Sequence, residues 1–369
     1  MPGIFAQQYA FPANCVLVEV GVLIIIFMAE SNDLEKITWI RSIPFGLMQL
    51  MPLGIFWTGI TWQSLLVCVV LYFLRMFFIT AGYHRYFAHR TYTLARMSQF
   101  LMALGGTSAA QKGPLWWASH HRHHHHYSDT EQDVHSPLKG FWWSHMKWIV
   151  CKKFAEPRLD LIKDLVKFPE LRWLDRHYLI PPTLLALVCY LAGGASVLFV
   201  GFFLSTMLLY HGTFSINSLM HLFGRRRYVT NDSSRNSMIL ALITCGEGWH
   251  NNHHYFPASV RQGFFWWEID VSYYVLKVLK VIGIVKNMQL PSLAILQKRR
   301  IKDGHFDNGL FHTYWIRTLR LFPNLSLADA KLYLLAKQQA LDEFVALGKL
   351  SALRLRQIVY GVLETAQNH

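Results

Sequence analysis

Long stretches without charge set the first constraint on this 369-residue chain. A helix needs roughly 17–25 mostly apolar residues to cross a bilayer. Residues 43–60 (IPFGLMQLMPLGIFWTGI) carry no charge, and 62–81 carry only Arg75. Residues 179–192 form a shorter stretch with Pro181 and Pro182 near its start, and 195–215 are uncharged again. A further apolar run, 16–29, contains Glu19. It reads as an interfacial or buried segment, and its flanks do not match a cleavable signal peptide. Composition agrees with a membrane protein: 53% of residues are hydrophobic and 16% charged, where a soluble domain carries about 25% charged residues.

The basic residues then give an orientation. Lys and Arg total 36 against 22 acidic residues, a net charge of +14. The links near 59–62 and at Gly193–Gly194 have none, whereas 82–178 hold 14 and the residues after Ser218 hold 19. Positive loops stay cytoplasmic. The expectation is an all-α membrane protein with four transmembrane helices in two hairpins, both termini cytoplasmic, and a cytosolic helical cap. One-sided loops account for the basicity, so a nucleic-acid partner is not expected. Of the five Cys, Cys68 and Cys189 fall in spans, and Cys151 and Cys245 on the reducing side. No CxxC pair suggests a zinc ribbon or dithiol site.

Sixteen of the 19 His lie between His84 and His254, clustered where spans meet the polar segments. The clusters are HRYFAH (84–89), HHRHHHHYSD (120–129), NSLMH (217–221) and GEGWHNNHHYFP (246–257). In HxxHH the side chains stand about 300° and 40° round a helix, on one face within a turn. His121, His124 and His125 have this spacing, as do His250, His253 and His254; Asn217 and His221 are i, i+4. His84 and His89 are i, i+5, about 140° apart on an α-helix. They converge only if the helix breaks or if they serve different metals. Neutral imidazole suits Fe, Cu or Zn. One HRHHHH tract alone is compatible with metal buffering, but four separated groups point to a polynuclear site. His120, His123, His126, His135 and His145 are left as surface or supporting residues.

These boxes, in this order and on this membrane plan, resemble the membrane-bound fatty acyl desaturases, most closely the acyl-CoA delta-9 (stearoyl-CoA type) branch. The resemblance covers roughly 40–285 and rests on GYHRYFAH, NSxxH and GEGWHNxHHxFP. It implies two irons held by His84, His89, His121, His124, His125, His221, His250, His253 and His254, with Asn217 acting through a water. It also implies a narrow, kinked acyl tunnel with Gln111, Trp117 and Thr213 near its bend. Lys152 and Lys153, in SHMKWIVCKK, correspond to a basic pair that contacts CoA.

The implied reaction removes two hydrogens from adjacent methylenes, using O2 and a reduced diiron centre. Neither carbon is acidic, so a general base of ordinary pKa is no help. The expected substrate is an acyl-CoA or a lipid acyl chain. Carboxylates should orient the imidazoles: Glu247 first, then Asp133, with Asp129 expected to be a solvated surface acid. No HPGG or G-x-G-x-x-G sequence suggests a fused haem or flavin domain. A separate electron donor is therefore expected (ferredoxin, rubredoxin or cytochrome b5 with its reductase), docking on the basic face. A histidine-box hydroxylase is the alternative chemistry, while a metal transporter would need polar ligands at membrane depth.

The expected division is 1–40, an N-terminal cytosolic or interfacial segment; 41–286, the desaturase domain; and 287–369, a soluble helical extension. Residues 271–285, after FFWWEID, read as an interfacial amphipathic helix. Helices are expected at 326–347, opened by a capping-box variant, and at 351–367. A bacterial inner membrane is favoured over the endoplasmic reticulum.

Overall fold

A computed structural model describes residues 35–301. The apolar run 16–29 and the helices expected at 326–347 and 351–367 lie outside the described residues. Residues 35–228 and 234–300 belong to one compact unit, and 229–233 group with 301–369 in a second. The site below lies in the first.

Helices dominate that unit. Two helical runs are long and apolar enough to cross a membrane, Trp62–Ala88 and Ile180–His221, each with mean hydropathy 2.2. The first begins as a reciprocally capped helix: Thr61 Oγ1 accepts from the Ser64 N–H at 3.1 Å, and Ser64 Oγ accepts from the Thr61 N–H at 3.0 Å. Each bond satisfies a donor that the first helical turn leaves without a partner. This helix, Trp62–Phe77, runs without a break into a π-helix, Phe78–Ala88.

The second run is not one straight helix. Ile180–Ser196 opens with Pro181 and Pro182 in its first turn, where a missing N–H costs nothing. Helical geometry is then lost at Gly193 (φ −161°) and Gly194 (φ 65°). The chain resumes as a π-helix, Val197–Leu204, and an α-helix, Ser205–Ser218. The expected span 43–60 is likewise segmented, into Trp39–Leu50 with Pro44 inside, a 3-10 turn Met51–Gly54 and Ile55–Thr58. It stops at Gly59, whose φ of 69° favours glycine. The two breaks are neighbours: Ser196 Oγ donates to Gly59 O at 3.2 Å, and Gln63 Nε2 to Ala192 O at 3.5 Å.

Outward-facing Leu66, Val69, Phe73, Leu187, Val188 and Leu191 are exposed along these runs, as a lipid-facing surface requires. Arg75 faces inward and is fully buried. It donates to Leu71 O, Ser108 O, Ser205 Oγ and Thr206 Oγ1, which binds the two runs together.

Three further helices complete the frame of the site. We label them α1, Arg96–Ser108; α2, Pro114–Tyr127; and α3, His250–Tyr255. The only two-stranded pairing among the described residues joins Thr93–Leu94 to Val285–Lys286, antiparallel. Residues 287–300 hydrogen-bond back to this unit, with the Gln289 N–H on Thr91 O (2.9 Å) and Tyr255 Oη on Ile295 O (2.7 Å).

Candidate metal centre

The helix carrying the second histidine box is fixed at its first turn. Pro114 opens α2, and Asp175 Oδ1 accepts from the Leu115 and Trp116 N–H groups at 2.9 and 2.8 Å. Gly113 lets Asp175 approach: a Cβ there would lie 2.3 Å from the Asp175 Cα. Burial raises the Asp175 carboxyl to about 6, against the pull of those two N–H donors.

Helix α3 is only six residues long, and its stability comes from Asn251 and Asn252, set between the histidines. Asn251 Oδ1 accepts from the Arg227 and Tyr228 N–H groups, both at 2.8 Å. Asn252 Nδ2 donates to Glu268 Oε2 and Gln262 O, both at 2.9 Å. Gly248, just before α3, packs where a Cβ would come within 2.1 Å of the Ala241 backbone nitrogen.

The nine histidines sort into two groups. His84, His89, His121, His125 and His253 form one; His124, His221, His250 and His254 form the other. Within each, the ligand-type nitrogens all lie within 4.8 Å of one another. In the larger group, Nε2 atoms approach at 3.0 Å (His84–His253), 2.8 Å (His89–His121), 3.1 Å (His121–His125) and 2.9 Å (His125–His253). In the smaller they stand 3.1 Å (His221–His250) and 3.4 Å (His124–His254) apart.

His84 and His89 meet in the same group although the helix does not break. This corrects the two alternatives drawn from α-helical spacing. A π-helix bonds i to i+5, and the His89 N–H donates to His84 O at 3.2 Å. The widened turn brings i and i+5 to one side.

Carboxylates hold the outer nitrogens. His84 Nδ1 pairs with Glu247 Oε2, His124 Nδ1 with Asp133 Oδ1 at 2.9 Å, and His221 Nδ1 with Asp129 Oδ1 at 3.0 Å. Asp129 is therefore no solvated surface acid; it is buried beneath His221. Glu247 is held in turn by Arg85, at 3.1 Å to Oε1, and Arg85 also grips Asp270 at 2.9 Å. Burial would raise the Glu247 carboxyl, but His84 and Arg85 outweigh it and keep it below the ordinary value. Burial, and then neighbouring imidazoles, hold His89, His121, His125, His250 and His253 well below the usual imidazole value.

These facts together test the site for a metal. A neutral imidazole whose Nδ1–H is given to a carboxylate has a bare lone pair on Nε2. In both groups Nε2 atoms converge to within 2.8–3.4 Å of one another, as the ligand atoms of a shared metal would. The donor set is all imidazole, which fits iron.

Gln111, Trp117, Thr213 and Asn217 come together on the wall of one cavity. Gln111 Nε2 donates to Thr213 Oγ1 at 2.9 Å, and Trp117 stacks on His121 at 4.9 Å between ring centroids. Phe45, Met48, Tyr210 and Phe214 supply apolar wall, and His121 and His135 also line it. Cys151 and Ala155 line the cavity, whereas Lys152 and Lys153 between them are exposed. Lys153 Nζ pairs with Glu35 at 3.1 Å.

Of the histidines left without a role, His126 is exposed, but His120, His123, His135 and His145 are buried. His135 packs on His124 with ring centroids 4.1 Å apart. Sequence reasoning missed Arg85, Asp270, Asn251 and Asn252. The two Asn sat in plain view within HNNHH, on the face opposite the ligand-type side chains.

The fatty acid desaturase family model matches residues 60–277, more than half of the chain. The chain is 37% identical over 265 residues to the sn-2 palmitoyl-lipid 9-desaturase of Nostoc sp. (strain 36), covering 70% of this chain and 93% of that protein. It is 35% identical over 281 residues to the Acyl-CoA C20 Delta5-desaturase of Anemone leveillei, covering 73% and 90%. It is also 37% identical over 244 residues to the Delta-9 acyl-lipid desaturase 1 of Arabidopsis thaliana, covering 65% and 79%. The chain belongs to the fatty acid desaturase family and is an oxidoreductase of the desaturase class.

Proposed function

We propose that the protein is an O2-dependent desaturase that introduces a cis double bond, at the delta-9 position, into a saturated acyl chain carried as an acyl-CoA. Two iron ions bind, one in each histidine group, with Asn217 completing the smaller group through a water. The observation that carries this reading is the convergence of nine imidazoles in two groups, with His121 of the larger group on the wall of the apolar cavity. Bound there and reduced by two electrons, the irons supply the O2 activation needed to take hydrogens from unactivated methylenes.

The chain's own residues do the rest. Phe45, Met48, Tyr210 and Phe214 exclude water and hold the hydrocarbon by dispersion. The Gln111–Thr213 hydrogen bond and Trp117 fix the wall beside His121. The distance from the cavity mouth to that wall then selects which carbon pair meets the metals. Glu247, Asp129 and Asp133 hold the imidazoles in the ligating tautomer. Lys152 and Lys153, exposed beside the cavity, offer charge to an anionic carrier.

Electrons come from a separate carrier docking on the cytosolic face. Four spans in two hairpins, with both termini in the cytoplasm of a bacterial inner-membrane protein, are part of the same reading. It is supported by the breaks at Gly59 and at Gly193–Gly194, which sit beside each other at one end of the bundle.

The test is expression in a host without unsaturated fatty acids, followed by mass spectrometry of its lipids. A new cis double bond at carbon 9 is expected. Hydroxylated chains, or no new lipid from a chain that holds two irons, would contradict the proposal.

A further inference from the structure

Arg225, Arg226, Arg227, Arg235, Arg299 and Arg300 gather on one face of the unit that holds the histidines. Arg225 pairs with Asn236 in an antiparallel bridge, and Arg300 with Tyr228. Arg226 Nη1 donates to Ser234 O at 3.3 Å, and Arg235 Nη1 to Gly224 O at 3.2 Å. The guanidiniums of Arg227 and Arg300 both lie over the Phe265 ring, at 4.7 and 5.4 Å. Arg225, Arg299 and Arg300 are exposed, and the other three are half-buried. Glu268, at 2.6 Å from Arg227, is fully buried, so the arginines supply the charge presented outward. Retention of loops in the cytosol asks for basic residues but not for their convergence. A concentrated field of one sign steers and holds an acidic partner.

Short links join this face to the smaller histidine group. The Arg235 N–H donates to Met220 O at 2.8 Å, beside His221. The Asn251 N–H, beside His250, donates to Arg235 O at 3.3 Å, and Asn251 Oδ1 accepts from the Arg227 N–H at 2.8 Å. A pair of rings offers a third route. Tyr228, which follows Arg227, stacks on Tyr255 with centroids 4.2 Å apart and planes 6° apart. Tyr255 follows His254, whose ring lies 4.3 Å from that of His250. Cationic charge outside, with stacked rings and short hydrogen bonds behind it, suits the passage of an electron in short steps.

We propose that the arginine face docks a small soluble one-electron carrier whose redox group is ringed by carboxylates, and that its electron enters at the smaller histidine group. In each encounter the reduced carrier is oxidised by one electron, and a ferric ion held by that group is reduced by one. No bond is made or broken, and two encounters supply the two electrons of the reaction. The inference rests on the desaturase reading above; it adds where the carrier binds and which group is reduced first.

The probe is an acidic 2Fe–2S ferredoxin, with a basic cytochrome c as control, and the protein is the purified full-length chain in phosphatidylcholine nanodiscs. Equilibrium binding needs no turnover, so a chain that binds ferredoxin but makes no double bond fails only the proposed function. Arg225→Gln/Arg299→Gln/Arg300→Gln is expected to weaken ferredoxin binding about tenfold and to flatten its salt dependence. Arg225→Lys/Arg299→Lys/Arg300→Lys should bind nearly as the wild type does, and cytochrome c should bind none of the three. In the iron-loaded chain, Tyr255→Leu should leave ferredoxin affinity unchanged and slow the first electron severalfold, read by anaerobic stopped-flow. Unchanged affinity and salt dependence in the glutamine variant overturn the inference, and so does a loss that the lysine variant shares. A glutamine variant that keeps ferredoxin but no longer retains phosphatidylglycerol shows a membrane contact instead, which also overturns it. An unchanged first-electron rate in Tyr255→Leu removes the smaller group as the point of entry.

Discussion

The two histidine groups differ in how they are built, and the difference separates ligation from support. The larger group has five imidazoles drawn from the π-helix and its end, α2 and α3; its His84 is braced by Glu247, which Arg85 and Asp270 hold in turn. The smaller has four, with two separate carboxylates, Asp133 and Asp129, behind His124 and His221. One group is anchored through a buried ion network that includes Arg85, the other through two acids joined where the Asp129 N–H donates to Asp133 Oδ2 at 3.0 Å. The smaller group is also the one that Asn217, four residues before His221 and on the cavity wall, is proposed to complete.

Single ligand removals should expose that asymmetry most strongly. His221→Ala leaves three imidazoles in the smaller group, and is expected to abolish desaturation and lower bound iron from about two per chain to about one. His89→Ala leaves four in the larger group. It should cost activity as severely while retaining more iron, measured by metal analysis of the purified variants. Equal iron loss in both would remove the distinction between the groups.

Their supports should differ next. Glu247→Gln is expected to reduce activity by about 10–100-fold, as is usual when a partner behind a metal ligand is lost. It should also lower the unfolding midpoint, since Arg85 stays buried with one anion fewer; breaking such a pair costs about 3–5 kcal/mol. Asp129→Asn should bring a similar activity loss with a much smaller stability change. Thermal unfolding of the two variants side by side decides the point.

The smallest effect is at α2, which serves both groups. Asp175→Ala should cost about 1 kcal/mol, the scale of a lost helix cap. The Asp175 carboxyl is raised to about 6 in the folded chain, so the folded state binds its proton more tightly than the unfolded one. Its contribution is therefore full below about pH 4 and is lost as pH rises through about 6. Asp175→Asn should flatten that decline in a stability–pH profile.

The same comparison shows what the sequence made legible. HxxHH spacing placed three ligand-type side chains on one face of α2 and of α3, because both are α-helical there and the angular rule applies. The His84–His89 pair was misjudged because the rule assumes an α-turn, and nothing in HRYFAH announces a π-helix. Asp129 was misjudged because its burial depends on His221, 92 positions away in the chain. Arg85 was invisible for a like reason: its partners Glu247 and Asp270 come from distant segments. Apolar length marked the two long helical runs, 62–88 and 180–221, but the segmentation of 43–60 and the bend at Gly193–Gly194 came from Pro and Gly within otherwise apolar sequence.

The most direct test of the two-group account is iron quantitation on the wild-type chain together with Mössbauer spectroscopy of the reduced, 57Fe-loaded protein. Two irons per chain are predicted, giving two ferrous signals of equal area and different parameters for the five- and four-imidazole groups. One iron per chain, or a second iron that loads at no fixed stoichiometry, would contradict it.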